Sequence, residues 1–242
     1  MIRSIVVAAL GAAACIGAAP AAAQIRVPRA VNRAISGPSP EIQRLLARID
    51  STRARFDRAT ALLVSSSLVM EGVVATADRK AEIRRELASA NEREQRGGEN
   101  RVELNAEDHA TRLEAATQQR QFEQQRLSQE QSANVSAAAF NSAIAALLDA
   151  MAANDARQLI GEAQSAASAM GNEPANAVYA GRLSNAATQQ LPAIVNAVPT
   201  QTRLVTAIRA AARQAGAANQ AVQVTEATAA TDPPRRIDPN AI

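Results

Sequence analysis

Disulfides, stacked aromatics and histidine-dependent catalysis have little material in this chain. Its 242 residues include one cysteine, one histidine, one tyrosine, three phenylalanines and no tryptophan. Cys15 falls inside the cleavable leader argued below, so the mature chain is expected to carry no thiol. That excludes a disulfide framework, a thiolate nucleophile and a sulfur-ligated metal. His109 is the lone imidazole, and its neighbours Glu107 and Asp108 project about 100° apart around a helix axis, so no triad or metal spacing forms locally. The segment reads as a solvated helix face. Gly-rich phosphate loops, HExxH, EF-hand loops and GxSxG elbows are absent as well. No catalytic residue, cofactor or metal ligand is therefore assigned, and the chain reads as a non-enzyme. Carboxylates are plentiful, but no spacing selects a pair.

What is abundant is alanine, which supplies most of the 47% hydrophobic content. Alanine is the best helix former and buries little area, so the composition favours long helices that meet through small side chains. Alternating β-branched and aromatic runs of the strand type are missing. The fold class is all-α.

The first residues follow a secretory pattern. Arg3 precedes an apolar stretch over residues 5–14, Pro20 interrupts it, and Ala21-Ala22-Ala23 offers small residues ahead of Gln24. This predicts a signal peptide over 1–23, a mature start at Gln24, and a periplasmic or secreted destination with no membrane span in the mature chain. Lipid attachment at Cys15 is the weaker alternative, because Ala12-Ala13-Ala14 stands where a lipoprotein signal carries leucine three residues before the cysteine.

Residues 24–38 form an irregular basic leader with Arg26, Arg29 and Arg33. A helix then begins: Ser39 caps, Pro40 suits the first position, and Glu41 complements the dipole. Ile42, Leu45, Ile49, Thr52, Phe56, Ala59 and Leu63 recur three and four apart, and 62–75 reads as buried core. The helix is expected to run on to Arg96, becoming strongly charged around Ile83 and Leu87, until Gly97-Gly98 permits reversal. A second helix is expected over 101–153. If the chain folds back at the glycines, residues whose numbers sum to about 196 lie side by side, pairing Ile83 with Leu113, Phe56 with Phe140, Ile49 with Leu147 and Leu45 with Met151. The expected architecture is thus a long antiparallel hairpin over 39–155 with its turn near 97–100, its base packed on three shorter helices. Those occupy a bundle region over 156–225: helices at 156–170, 174–198 with a kink at Pro192, and 200–222, with Pro199 as separator. Residues 226–242 read as a disordered tail.

For function, the pattern favours an exported, noncatalytic interaction or assembly protein acting as spacer, adaptor or component of a secretion or surface structure. Its partners would be envelope or surface proteins, touched by the hairpin tip (Glu94, Arg96, Glu99, Arg101) or the basic leader (Arg26, Arg29, Arg33). Homo-oligomers remain open. Nucleic acid is disfavoured by the lack of stacking aromatics and by export. The competing readings are a periplasmic client-binding chaperone and an enzyme with an unrecognised carboxylate site.

Overall fold

The computed structural model describes residues 38–96, 105–170, 176–216 and 233–242. The expected signal peptide, cleavage site and basic leader lie outside these residues. Among the described residues the chain is all-helical, without strands: α1 Pro40–Val74, α2 Ala77–Arg96, α3 Ala106–Gln118, α4 Gln129–Ala169, α5 Ala177–Asn185 and α6 Leu191–Gln214.

The start of α1 follows the sequence closely. Pro40 occupies the first turn, Glu41 is its acid, and the Ser39 hydroxyl accepts from the Ile42 amide at 3.4 Å. The predicted stripe faces inward, with Leu45, Ile49, Thr52, Ala59 and Leu63 buried, and every residue from Leu62 to Val73 is buried. The helix does not continue to Arg96. Ala75 is extended (ψ 152°) and α2 begins two residues later, with the Lys80 amide donating to the Thr76 carbonyl. Val73 and Val74 lower helix propensity at the end of α1, Thr76 stands at the N-cap position of α2 and Asp78 places an acid in its first turn, so the chain restarts there.

The second long helix is interrupted too. α3 ends at Gln118 in a reversal with Arg120 at φ 54°, where the Gln121 amide donates to the Ala116 carbonyl at 3.0 Å. This is the six-to-one bond of a Schellman ending, and it swings Phe122 into the core at 1% exposure. α4 then starts from a capping box in which Ser128 and Gln131 bond each other's backbone amides.

These breaks overturn the predicted register. α1 and α4 do run antiparallel, but Arg48 pairs with Glu162 at 2.6 Å and Arg55 pairs with Asp155, so facing numbers sum to about 210 rather than 196. Ile49 is therefore displaced from Leu147 by some 14 positions, about 20 Å along the helix. The expected pairings of Phe56 with Phe140 and Leu45 with Met151 fail for the same reason. The ten residues between α3 and α4 consume chain length that a continuous helix would have converted into rise. α3, moreover, lies mainly along α6 instead of α2. Its inward face is Ala106, Ala110 and Leu113, and Arg203 of α6 reaches across to Glu114 at 2.6 Å and Glu107 at 3.4 Å. Among its described side chains α2 offers only Ile83 and Leu87 as fully buried large residues, a narrow face for a partner of its own length.

The last third departs from expectation in three ways. There is no separate helix at 156, since α4 runs through to Ala169. A π-turn, Ala186–Gln190, carries the Leu191 amide back to the Ala186 carbonyl and absorbs the missing N–H of Pro192, where a kink was expected. Pro199 does not end a helix: α6 continues through it, anchored by buried Leu191 and Ile194 before and Leu204, Val205 and Ile208 after. Finally, residues 233–242 of the expected disordered tail are ordered. Ile237 and Ile242 are buried in the core, and Arg84 donates to the Ile242 carbonyl at 2.7 Å.

Two apolar clusters result. One joins Ile42, Leu45, Ile49 and Phe56 of α1 to the second half of α4 from Ala152 onward and Met170 just after it, α5, the π-turn and the start of α6. The other joins Ala59–Ala75 to α2, α3, the first half of α4, the second half of α6 and the tail. α4, at 41 residues, is long and apolar enough by length and composition to cross a membrane, and most of that stretch is buried against its neighbours.

Candidate functional site

Polar groups are concentrated at two places. The first lies where α1 breaks into α2. Glu71, in the last turn of α1, is buried, and its Oε1 meets His109 Nδ1 at 2.5 Å and Arg112 Nε at 3.1 Å, both from α3. Arg79 of α2 stands 3.7 Å from Oε2 and is itself engaged by Glu82 and Glu86. Burial opposes the charge on Glu71, but the hydrogen bonds and positive charge of His109 and Arg112 outweigh it and hold its carboxyl below the ordinary value. A carboxylate so held is a poor general base. Its evident work is to tie three helices at a point where the backbone turns. His109 is thus no solvated face: its partner lies 38 residues away, a distance that local spacing cannot reveal.

The second place is deeper. Asp149 of α4, Gln201 of α6 and Thr60 of α1 are all buried. Gln201 Nε2 donates to both Asp149 oxygens, at 2.8 and 2.6 Å, while its Oε1 accepts from Thr60 Oγ1 at 3.1 Å. This orientation suits an ionised Asp149; a protonated Asp149 instead donates to the Gln201 carbonyl oxygen and leaves Nε2 to donate to Thr60 Oγ1 at 3.1 Å. No cation among the described residues pairs with Asp149, and burial pushes its pKa up to about 8. At neutral pH the carboxyl is therefore mostly protonated. On α4 and α6 this layer falls between the two apolar clusters, between Leu148 and Ala152 and between Ile194 and Leu204, and on α1 it lies just inside the second, between Ala59 and Leu62. It is a polar partition across the bundle.

Of the sequence-assigned contact residues, Glu94 and Arg96 fall near the end of α2, and their side chains lie outside the described set. Glu99, Arg101, Arg26, Arg29 and Arg33 lie outside it entirely. Sequence reasoning passed over Asp149, although a signal was present: it is the sole charged residue between Glu130 and Asp155. Among the described residues no three metal-binding side chains converge. One shallow depression is lined by Leu46, Asp50, Arg53, Arg182 and Gln190, with Arg182 standing 3.7 Å from Asp50. It includes neither buried carboxylate. No family model, curated protein or solved structure matches the chain.

Proposed function

We propose that this chain is an exported, noncatalytic helical protein that works through contacts with other envelope or surface proteins, as a spacer, adaptor or assembly component. One observation carries the reading. The two acids that burial could have tuned for acid or base chemistry, Glu71 and Asp149, are both engaged in joining helices, and neither opens into the lined depression. Long helices with charged outer faces then supply contact surface rather than a concave reaction site. The contact residues proposed are Glu94 and Arg96 in the last turn of α2, Glu99 and Arg101 after it in the sequence, and Arg26, Arg29 and Arg33 ahead of α1.

Photo-crosslinking residues placed at Arg29 and Glu94 in cells test this directly. Discrete protein adducts from the envelope are expected at one or both positions, and their absence at both would remove the assigned surfaces. Intact-mass measurement of the same material is expected to show a chain starting at Gln24. A start at Cys15 with added lipid mass would replace it by an anchored form. Suppression of client aggregation at near-stoichiometric amounts would favour a client-binding chaperone instead.

A further inference from the structure

The segment 233–242 is held as a bound peptide would be held. On α4, Asn141 accepts from the Arg235 amide at 2.8 Å and donates to the Arg235 carbonyl at 2.9 Å, reading one residue's main chain through both of its hydrogen-bonding groups. Two turns earlier Asn134 does the same for Asp238, accepting at 3.0 Å and donating at 2.8 Å. A spacing of seven on one helix face matches a three-residue step along the docked segment. Between them, the Arg235 guanidinium lies 4.1 Å from the centroid of the Phe140 ring, and Ile237 is buried. At the far end Ile242 enters a notch on α1 that exists because residue 72 is glycine. A Cβ there would lie 2.2 Å from Ile242 Cγ2.

Recognition of this kind takes affinity from the main chain and specificity from spaced side-chain anchors. Every contact belongs to residues 235–242, and none depends on which copy of the chain supplies them. We infer that this groove on α4, α2 and the Gly72 notch is a peptide-binding site for the 233–242 segment, and that a second copy of this chain can supply that segment in trans. Each copy carries both the groove and its matched ligand, so exchange reproduces an identical contact set between protomers, the logic of a swapped element. This deepens the assembly reading and rests on it, giving that reading a homotypic contact.

The test uses purified full-length chains alone, so its failure leaves the envelope crosslinking experiment untouched. An acceptor, Ile237→Ser, loses its own anchor and keeps its groove. A donor, Gly72→Ala, fills the notch with a methyl while favouring helix; a second donor is Asn134→Ala with Asn141→Ala. A labelled synthetic peptide of residues 233–242 is expected to bind the acceptor saturably, and at least about tenfold more weakly once Asn134→Ala and Asn141→Ala are added to it. Acceptor and donor mixed in equal amounts are expected to sediment as a heterodimer, each alone as a monomer. Peptide binding without heterodimer formation would overturn the second copy as the source and pass the site to a foreign segment of the same pattern. If the acceptor does not fold, added peptide is expected to restore its helical circular dichroism. Neither binding nor rescue would show the tail to be a fixed part of the core and overturn the proposal.

Discussion

At the scale of single residues, Asp149 makes a pH-dependent statement about stability. Its ordinary value is 3.8 and its folded value is about 8, so between those limits the folded chain keeps a proton that the unfolded chain has lost. The stability is therefore full below about pH 4 and declines toward pH 8, by about 1.4 kcal/mol per pH unit at most. Asp149→Asn, which cannot ionise, is expected to flatten that slope and to exceed the parent at pH 8 in denaturant titrations run at pH 5 and pH 8. Glu71 has the opposite sign. Its lowered pKa gives stability present above about pH 4.5 and lost as pH falls through the folded value. Glu71→Gln is expected to cost about 2 kcal/mol near neutrality and progressively less in acid, read from the same titrations. Ser66 presents a simpler case. Its buried hydroxyl has no hydrogen-bond partner, so Ser66→Ala is expected to raise stability by about 1 kcal/mol, a melting-temperature increase that calorimetry resolves.

At the scale of elements, the register of α1 against α4 can be read by crosslinking. Cysteines at Ile49 and Leu159, in one apolar cluster and close to the facing register, are expected to bridge, whereas Ile49 with Leu147 should not, because a disulfide requires Cα atoms within about 7 Å. Efficient bridging of the second pair alone would restore the sum-196 register. The left-handed Arg120 at the end of α3 invites a second measurement: Arg120→Gly is expected to relieve roughly 1 kcal/mol of backbone strain, partly offset by unfolded-state entropy. The cap at Ser39, the stripe from Leu45 to Leu63 and the buried core from Leu62 onward were all written in local periodicity. The breaks were written in subtler chemistry. Val73 and Val74 lower helix propensity and Thr76 stands at the next N-cap position, without proline or glycine, and the Ser128/Gln131 capping box begins a helix within a run of glutamines that looked merely polar. Missing those ten inter-helix residues shifted every long-range pairing downstream. Pro199 erred in the other direction, since apolar anchors on both sides hold a helix together through a residue that usually ends one.

At the scale of the whole molecule, the candidate sites were mostly beyond local reading, because each depends on residues brought together from three helices. His109 gains its meaning from Glu71, and Gln201 from Asp149 and Thr60. The docked tail depends on Asn134 and Asn141, which carry no motif, and its proline-rich sequence resembles a solvated end. Phe140 sits beneath that tail, and Phe140→Ala is expected to cost about 3 kcal/mol or more in thermal unfolding, through the emptied ring volume and the lost platform for Arg235. Asp149, the sole charged residue of the apolar stretch of α4 between Glu130 and Asp155, also acts before the bundle forms. Unfolded, α4 is a segment apolar enough to enter a lipid bilayer, and an aspartate raises the cost of doing so by up to about 3 kcal/mol. The side chain that weakens the folded bundle in alkali also discourages the nascent chain from lodging in a membrane it is proposed to cross. Asp149→Leu is accordingly expected to increase the fraction that resists carbonate extraction from membranes.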